Sequence, residues 1–158
     1  MHRPSILDKS IAELAVVYVL PKINLWLKTN SVSEKDIADQ QNQILNDLNE
    51  AFIHRLDGYD VAKYLESKSW MVDENLVKIL SGVKYSIYLK SVKNWVKNNK
   101  IVAKLPIGSQ VEFKKRSSFS TEIGIISNIN EELGEYVIKT DETMYIVPYE
   151  NVVSDTKQ

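Results

Sequence analysis

The sequence predicts an α+β protein, with an N-terminal helical bundle followed by a C-terminal five-stranded β-barrel. Up to about residue 105, apolar residues recur every three to four positions, which is the period of amphipathic helices. From Gly108 to Val153 they alternate or form short β-branched runs separated by Gly, Asn and Asp, which is typical of short strands. The predicted organisation is a helical domain at 1–100, a short linker at 101–106 and a barrel at 107–154.

The composition is that of a globular protein. A chain of 158 residues that is 44% hydrophobic and 26% charged is too apolar for intrinsic disorder and suits one domain or two small ones. The absence of Cys excludes disulfides and thiolate chemistry. The longest apolar run, Leu14–Leu20, is too short to span a bilayer, and no secretory signal pattern is recognised. We therefore expect a soluble, cytoplasmic protein without a membrane partner.

The first predicted helix begins near Ser5 or Asp8. Pro21 lacks an amide hydrogen and crowds the preceding turn, so we expect it to kink or split this helix. The second helix begins after an N-cap at Ser31 or Ser33 and is predicted to run unbroken until Gly58 stops it.

Three further helices are predicted before the barrel. Asp60 is expected to cap a short third helix, and Asp73 a fourth that ends at Gly82. A fifth helix is predicted from about Val83 to Asn99, since its apolar residues keep helical spacing.

Five short strands are predicted in the barrel. Turns are expected at Asn130–Gly134 and Asp141–Glu142, where Gly, Asn and Asp are concentrated. The predicted strands are Gln110–Lys114, Glu122–Ile129, Tyr136–Thr140, Met144–Val147 and a last piece near Val152.

The last third of the chain resembles an SH3-like small β-barrel. The resemblance rests on the lead-in Gly108–Val111, the segment Gly124–Ile129, which is similar to KOW and Tudor-type barrels, and the closing segment Val147–Val152. It implies a barrel that binds proteins, RNA or modified side chains. The Tudor-type aromatic cage that it also implies would be formed by Phe119, Tyr136, Tyr145 and Tyr149.

The charge of the chain is unevenly distributed. The formal net charge is −1, yet residues 75–116 carry ten cations and a single acid. Lysines spaced three, four, three and four residues apart would line one edge of the fifth helix if the helix extended far enough. These lysines are Lys90, Lys93, Lys97, Lys100 and Lys104, with Lys84 preceding them and Lys114, Lys115 and Arg116 following in a barrel loop.

Three interpretations of this basic stripe remain open. The lysines can form a solvated or internally paired face, which is the usual role of charge runs. They can bind an acidic protein surface, or they can neutralise nucleic-acid phosphates without regard to sequence. The scarcity of Arg makes nucleic acid the weaker of the two binding alternatives.

Two aromatic residues are candidates for the same contact surface. Phe119 lies between two serines in a polar loop, and Tyr149 follows Pro148 at the end of a strand. Both can stack on a peptide, a base or a methylated side chain. The alternative is structural: Phe119 folds over the end of the barrel and Tyr149 packs against the helical domain.

The sequence offers little for catalysis or for metal and cofactor binding. It contains no nucleophile elbow, phosphate-binding glycine loop, His-Glu-x-x-His or dinucleotide fingerprint. His54 and Glu50 are spaced to share one helix face, but zinc needs three or four ligands. We therefore expect a non-enzymatic adaptor, inhibitor or accessory factor, with no cofactor or metal and an acidic protein as its partner. Sequence-independent nucleic-acid binding is the alternative, and a hydrolase or transferase hidden in a cleft near His54 comes third.

Overall fold

The computed structural model of the chain describes residues 2–115 and 119–155, and it confirms the α+β class. The chain divides into two compact units, Met1–Ser91 and Val92–Gln158. The helices are α1 (Lys9–Thr29), α2 (Glu34–Asp39), α3 (Gln41–His54), α4 (Gly58–Ser67), α5 (Glu74–Leu80) and α6 (Val83–Asn98). The strands are β1 (Gln110–Lys114), β2 (Thr121–Asn130), β3 (Glu135–Lys139), β4 (Met144–Pro148) and β5 (Val152–Asp155).

Helix α1 is the central helix of the first unit. It runs through Pro21 as one helix, so the predicted split is wrong. Its buried face packs against α3 and α5, while Leu14, Val17 and Leu25 are exposed on other faces. An 18-residue window of α1 has a mean hydropathy of 1.4, so by length and composition alone this helix could cross a membrane. The Leu14–Leu20 run is therefore part of a longer apolar segment than we inferred, and 39% of the 18-residue window is buried inside the structure.

The predicted second helix is two helices, α2 and α3. Ser33 is the N-cap of α2, as one of the two alternatives predicted, because its Oγ accepts a hydrogen bond from the Asp36 amide at 3.1 Å. The break falls at Gln40, in a polar run that offers no apolar side chain to hold a continuous helix on the core.

The caps of the next helices are partly as predicted. Asp57, not Asp60, caps α4 by accepting the Tyr59 amide, and Gly58 is the first residue of α4, not a stop. Asp73 caps α5 as predicted, and Gly82 separates α5 from α6 with a φ of 72°.

Ser31 and Ser69 occupy left-handed turns at the ends of α1 and α4. Their φ values are 67° and 70°, a region that costs a non-glycine residue about 1 kcal/mol or more. After α1, the Val32 amide donates to the Leu27 carbonyl and the Ser31 amide to the Lys28 carbonyl, which is the Schellman pattern. The turn after α4 repeats it, with Trp70 and Ser69 donating to the carbonyls of Leu65 and Glu66.

We expect the double variant Ser31→Gly/Ser69→Gly to be more stable than the natural chain. Glycine adopts this backbone region without strain, although it also enlarges the unfolded ensemble, so we expect a net gain of about 0.5 kcal/mol per site. Thermal unfolding followed by circular dichroism should show a midpoint about 2–4 °C higher. Ser33→Gly is the matched control, because Ser33 has an ordinary extended backbone, and it should not raise the midpoint. An unchanged or lower midpoint for the double variant would show that Ser31 and Ser69 are not strained.

The second unit contains one antiparallel sheet in the order β4-β3-β2-β1-β5, curled into a half-barrel. The strands agree with the predicted ones to within about a residue at most ends, and the turns fall where they were expected. The β2–β3 register shifts between Ile126 and Asn128, and a β-bulge of this kind bends a strand. The inner face buries Val111, Phe113, Ile126, Tyr136, Ile138 and Val147.

Candidate partner-binding groove

The segment that follows α6 is held by the sheet. Helix α6 ends at Asn98, and Lys100 then takes a left-handed conformation with a φ of 52°. The backbone amides of Lys104 and Leu105 both donate to Oη of Tyr136, at 3.0 and 3.1 Å. The residues predicted as a short linker, 101–106, therefore lie in the second unit, where two of their amides bond to a buried side chain of β3.

A groove of about 550 Å³ lies beside this segment in the second unit. Its apolar lining comes from α6, from the segment after it, and from β3 and β5. Lys100 and Lys104 are exposed residues that line it, together with the carboxylates of Glu150 and Asp155, which already interact with other groups of the chain. The main apolar and aromatic residues are Trp95, Val102, Leu105, Tyr136, Tyr149 and Val153.

Two tyrosines form the aromatic part of the groove. The ring centroids of Tyr136 and Tyr149 are 4.4 Å apart, with a tilt of 42° between the planes. Tyr136 is almost completely buried, so Tyr149 is the more accessible member of the pair. Of the other residues named for a Tudor-type cage, Tyr145 packs on Phe113 with ring centroids 5.4 Å apart, and Phe119 is fully exposed.

Phe119 is a fully exposed residue at the start of the second described segment. It does not fold over the end of the sheet, so the structural interpretation is wrong for this residue. Tyr149, in contrast, packs within its own unit on Tyr136.

The lysines predicted as one stripe do not form a continuous helical edge. Lys90, Lys93 and Lys97 lie on α6, but the helix ends before Lys100 and Lys104. The ammonium groups of Lys97, Lys100, Lys104 and Lys114 are exposed, and they form no ion pair with any residue that the structure describes. The same is true of Lys90 in the first unit.

Two of the predicted binding lysines are already paired within the second unit. Lys93 Nζ lies 2.5 Å from Oε2 of Glu132, and this hydrogen bond and charge lower the pKa of that carboxyl. Lys115 Nζ lies 2.8 Å from Oε2 of Glu122, and the hydrogen bond raises the pKa of Lys115. Arg116 lies outside the described residues.

Lys84 is not part of any basic surface. Only 1% of it is exposed, and its Nζ donates to the carbonyls of Phe52, Ile53 and Arg55 at the end of α3. Burial lowers the pKa of this ammonium group. The lysine therefore supplies donors to carbonyls that have no partner inside their own helix.

His54 and Glu50, whose spacing places them on one helix face, form no ion pair with each other among the described residues. Glu50 instead accepts the hydroxyl of Tyr64 and lies 3.5 Å from Lys68 Nζ. His54 borders a wide cleft of about 860 Å³, where the Ser67 hydroxyl donates to the Tyr64 carbonyl. Within the described residues, no group of three or more His, Cys, Asp or Glu side chains is placed to hold a metal ion.

An apolar groove with charged groups at its edge is a type of surface on which proteins bind segments of other proteins. The sequence did not predict this groove, although Tyr149, Lys100 and Lys104 were named individually. No family model, curated protein or solved structure matches the chain.

Proposed function

We propose that the protein is a non-enzymatic binding protein, an adaptor, inhibitor or accessory factor, whose C-terminal unit binds an acidic segment of a partner protein. The observation that carries the proposal is the groove beside residues 100–105. It combines exposed apolar surface at Val102 and Val153 with ammonium groups of Lys100 and Lys104 that are unpaired among the described residues. An apolar anchor flanked by Asp or Glu complements both features.

We also propose that the sheet is an SH3-like barrel. The order β4-β3-β2-β1-β5 supports this relationship, and so does the 3₁₀ turn Tyr149–Asn151 that joins β4 to β5. In this arrangement Tyr149 lies on the connection next to the groove, where it can contact a bound segment.

The sheet edge suggests how the segment would lie. Strand β5 is at one end of the sheet, paired only with β1 among the described strands, and Val152 and Val153 line the groove. An extended peptide can add to such an edge through its main chain while its side chains supply the specificity.

The proposal is tested with defined peptides. Fluorescence anisotropy would measure binding of labelled peptides in which Leu, Phe or Trp is flanked by Asp and Glu, with Lys-flanked versions as the comparison. We expect Lys100→Glu/Lys104→Glu to weaken binding of the acidic peptides about tenfold, since two attractive charges become repulsive. Val102→Asn should also weaken it, because it places an amide in the apolar groove.

The matched control is Lys35→Glu/Lys63→Glu, which makes the same change of net charge at exposed lysines of the first unit. It should leave peptide affinity unchanged. If no acidic peptide binds, or if both double variants weaken binding equally, the groove is not the binding site. If random duplex DNA binds instead, with an affinity that falls log-linearly with salt, nucleic-acid binding replaces the proposal.

A further inference from the structure

A third cavity, separate from the groove and from the cleft beside His54, lies entirely within the helical unit and differs in chemistry from the groove. It has a volume of about 610 Å³, within the range of small-molecule sites. Trp26 and Trp70 form its aromatic walls, and Ile44 and Val72 are among its apolar residues. The acidic side chains that line it are Asp36, Asp47 and Asp73.

Asp47 is a buried carboxylate in the wall of this cavity. Only 4% of the residue is exposed. Its Oδ1 accepts a hydrogen bond from Gln43 Nε2 and its Oδ2 one from Trp70 Nε1, both at 2.8 Å. Both donors are neutral, and no cation forms an ion pair with Asp47 among the residues that the structure describes. Since a carboxylate has about four acceptor positions, about two of them remain available.

Asp73 adds a second available oxygen. Its Oδ1 accepts both the Trp26 indole N–H at 3.0 Å and the Leu76 amide at 2.8 Å. Within the described part of the chain, no donor is hydrogen-bonded to its Oδ2. Each wall tryptophan is thus held by a carboxylate that still has room for another donor.

The carboxylates that line this cavity form no ion pair with a cation among the described residues. Lys68 also lines it, but the ammonium group of Lys68 is paired with Glu50. A buried carboxylate bonded only by neutral donors is costly, because these donors replace less of the stabilisation that a charge has in bulk water. A cation placed beside Asp47 would offset that cost, and the faces of Trp26 and Trp70 would attract the same charge.

We propose that this cavity binds an organic cation, an ammonium or guanidinium group carried on an apolar chain. The charged group would donate to Asp47 and to Oδ2 of Asp73, and the chain would pack on the indole rings. Two sources supply this chemistry: a free amine, or a Lys or Arg side chain of a bound peptide. The proposal does not depend on the groove of the C-terminal unit.

The two wall tryptophans report binding directly. In a Trp95→Phe background, tryptophan fluorescence, excited at a wavelength that tyrosine does not absorb, comes from Trp26 and Trp70 alone, because the chain has three tryptophans. The probes are hexylamine and its neutral counterpart hexanol, then a capped Ala-Lys-Ala peptide and the same peptide with norleucine. We expect saturable changes with hexylamine, with the lysine peptide, or with both, and much weaker changes with the neutral partners.

Asp47→Asn and Asp73→Asn test the assignment of the carboxylates. In each, the remaining carbonyl oxygen can still accept the indole N–H while the charge is lost. We expect each variant to weaken cation binding at least about tenfold, as the loss of one charge-assisted hydrogen bond implies. Asp60→Asn, an exposed carboxylate of the same unit outside this cavity, should bind like the parent.

The outcomes distinguish a free amine from a peptide side chain as the ligand, and they show whether the cavity binds cations at all. Binding of hexylamine but not of the peptide assigns the site to a small molecule, and tighter binding of the peptide assigns it to a partner's side chain. The proposal is overturned if neither cation binds, if hexanol binds as tightly as hexylamine, or if Asp73→Asn, folded as judged by circular dichroism, binds with unchanged affinity.

Discussion

Replacing Lys84 with methionine is expected to lower the free energy of unfolding by about 2–4 kcal/mol, one of the two largest effects that we predict for a single substitution. Methionine retains most of the buried stem but removes the donors to the carbonyls of Phe52, Ile53 and Arg55. These carbonyls belong to the last turn of α3 and its cap, where a cation also interacts favourably with the helix dipole. The removal of the desolvated charge offsets part of the loss but leaves the carbonyls unsatisfied.

Urea unfolding followed by circular dichroism measures the change. The matched control is Lys90→Met on the same helix, at an exposed lysine that forms no ion pair with the described residues. It should change the free energy of unfolding by less than about 0.5 kcal/mol. If the two variants are equally stable, Lys84 does not support the end of α3.

The difference in stability between the natural chain and Lys84→Met should change with pH in a defined direction. Because burial lowers the pKa of Lys84, the unfolded chain binds this proton more tightly than the folded chain. The stability of the natural chain relative to Lys84→Met should therefore rise as the pH increases from the lowered pKa towards the ordinary lysine value of 10.5. Other lysines and tyrosines titrate there too, but they do so in both proteins and cancel in the difference.

The period of the apolar residues was sufficient to predict the fold class, because burial of one face is a property of each segment by itself. Helix α6 and the strand β1 fall where the sequence placed them. The caps at Ser33 and Asp73 were also predictable, since each bonds to an amide three residues away. Local hydrogen bonding of this kind needs no knowledge of the rest of the chain.

The candidate sites depend on contacts between distant residues, which the sequence does not reveal. Lys84 and Lys90 lie on the same helix in the same basic stretch, yet one is buried and the other exposed. Tyr136, which lines the groove, bonds to the backbone of residues 104 and 105, more than thirty positions earlier in the sequence. In the same way, Trp26 of α1 bonds to Asp73 before α5, and Trp70 after α4 bonds to Asp47 of α3. These partners are far apart in sequence, so no local motif marked the cavity.

Gly58 shows how a local rule gives the wrong role. A glycine after a long apolar face is a common helix stop, because glycine adopts the left-handed region without penalty. In the structure this glycine begins α4, is buried, and lies against Ser81 at the end of α5. What its position requires is the absence of a side chain rather than backbone freedom.

We therefore expect Gly58→Ala to destabilise the protein by about 1–3 kcal/mol, although alanine is the better helix former. An added Cβ would lie 2.5 Å from the Ser81 amide nitrogen and 2.6 Å from its Cα, and backbone atoms cannot move aside as a flexible side chain can. Relief would require α4 and α5 to separate, which would open the core between them. Thermal unfolding should show a midpoint roughly 2–12 °C lower than that of the natural chain.

The control for this prediction is Glu66→Ala, at an exposed position of the same helix, which should leave the midpoint within a few degrees. The two interpretations of Gly58 predict opposite signs. If the position required only helix propensity, alanine would stabilise α4 by up to about 1 kcal/mol. A raised midpoint for Gly58→Ala would therefore show that α4 and α5 do not approach as closely as the structure places them.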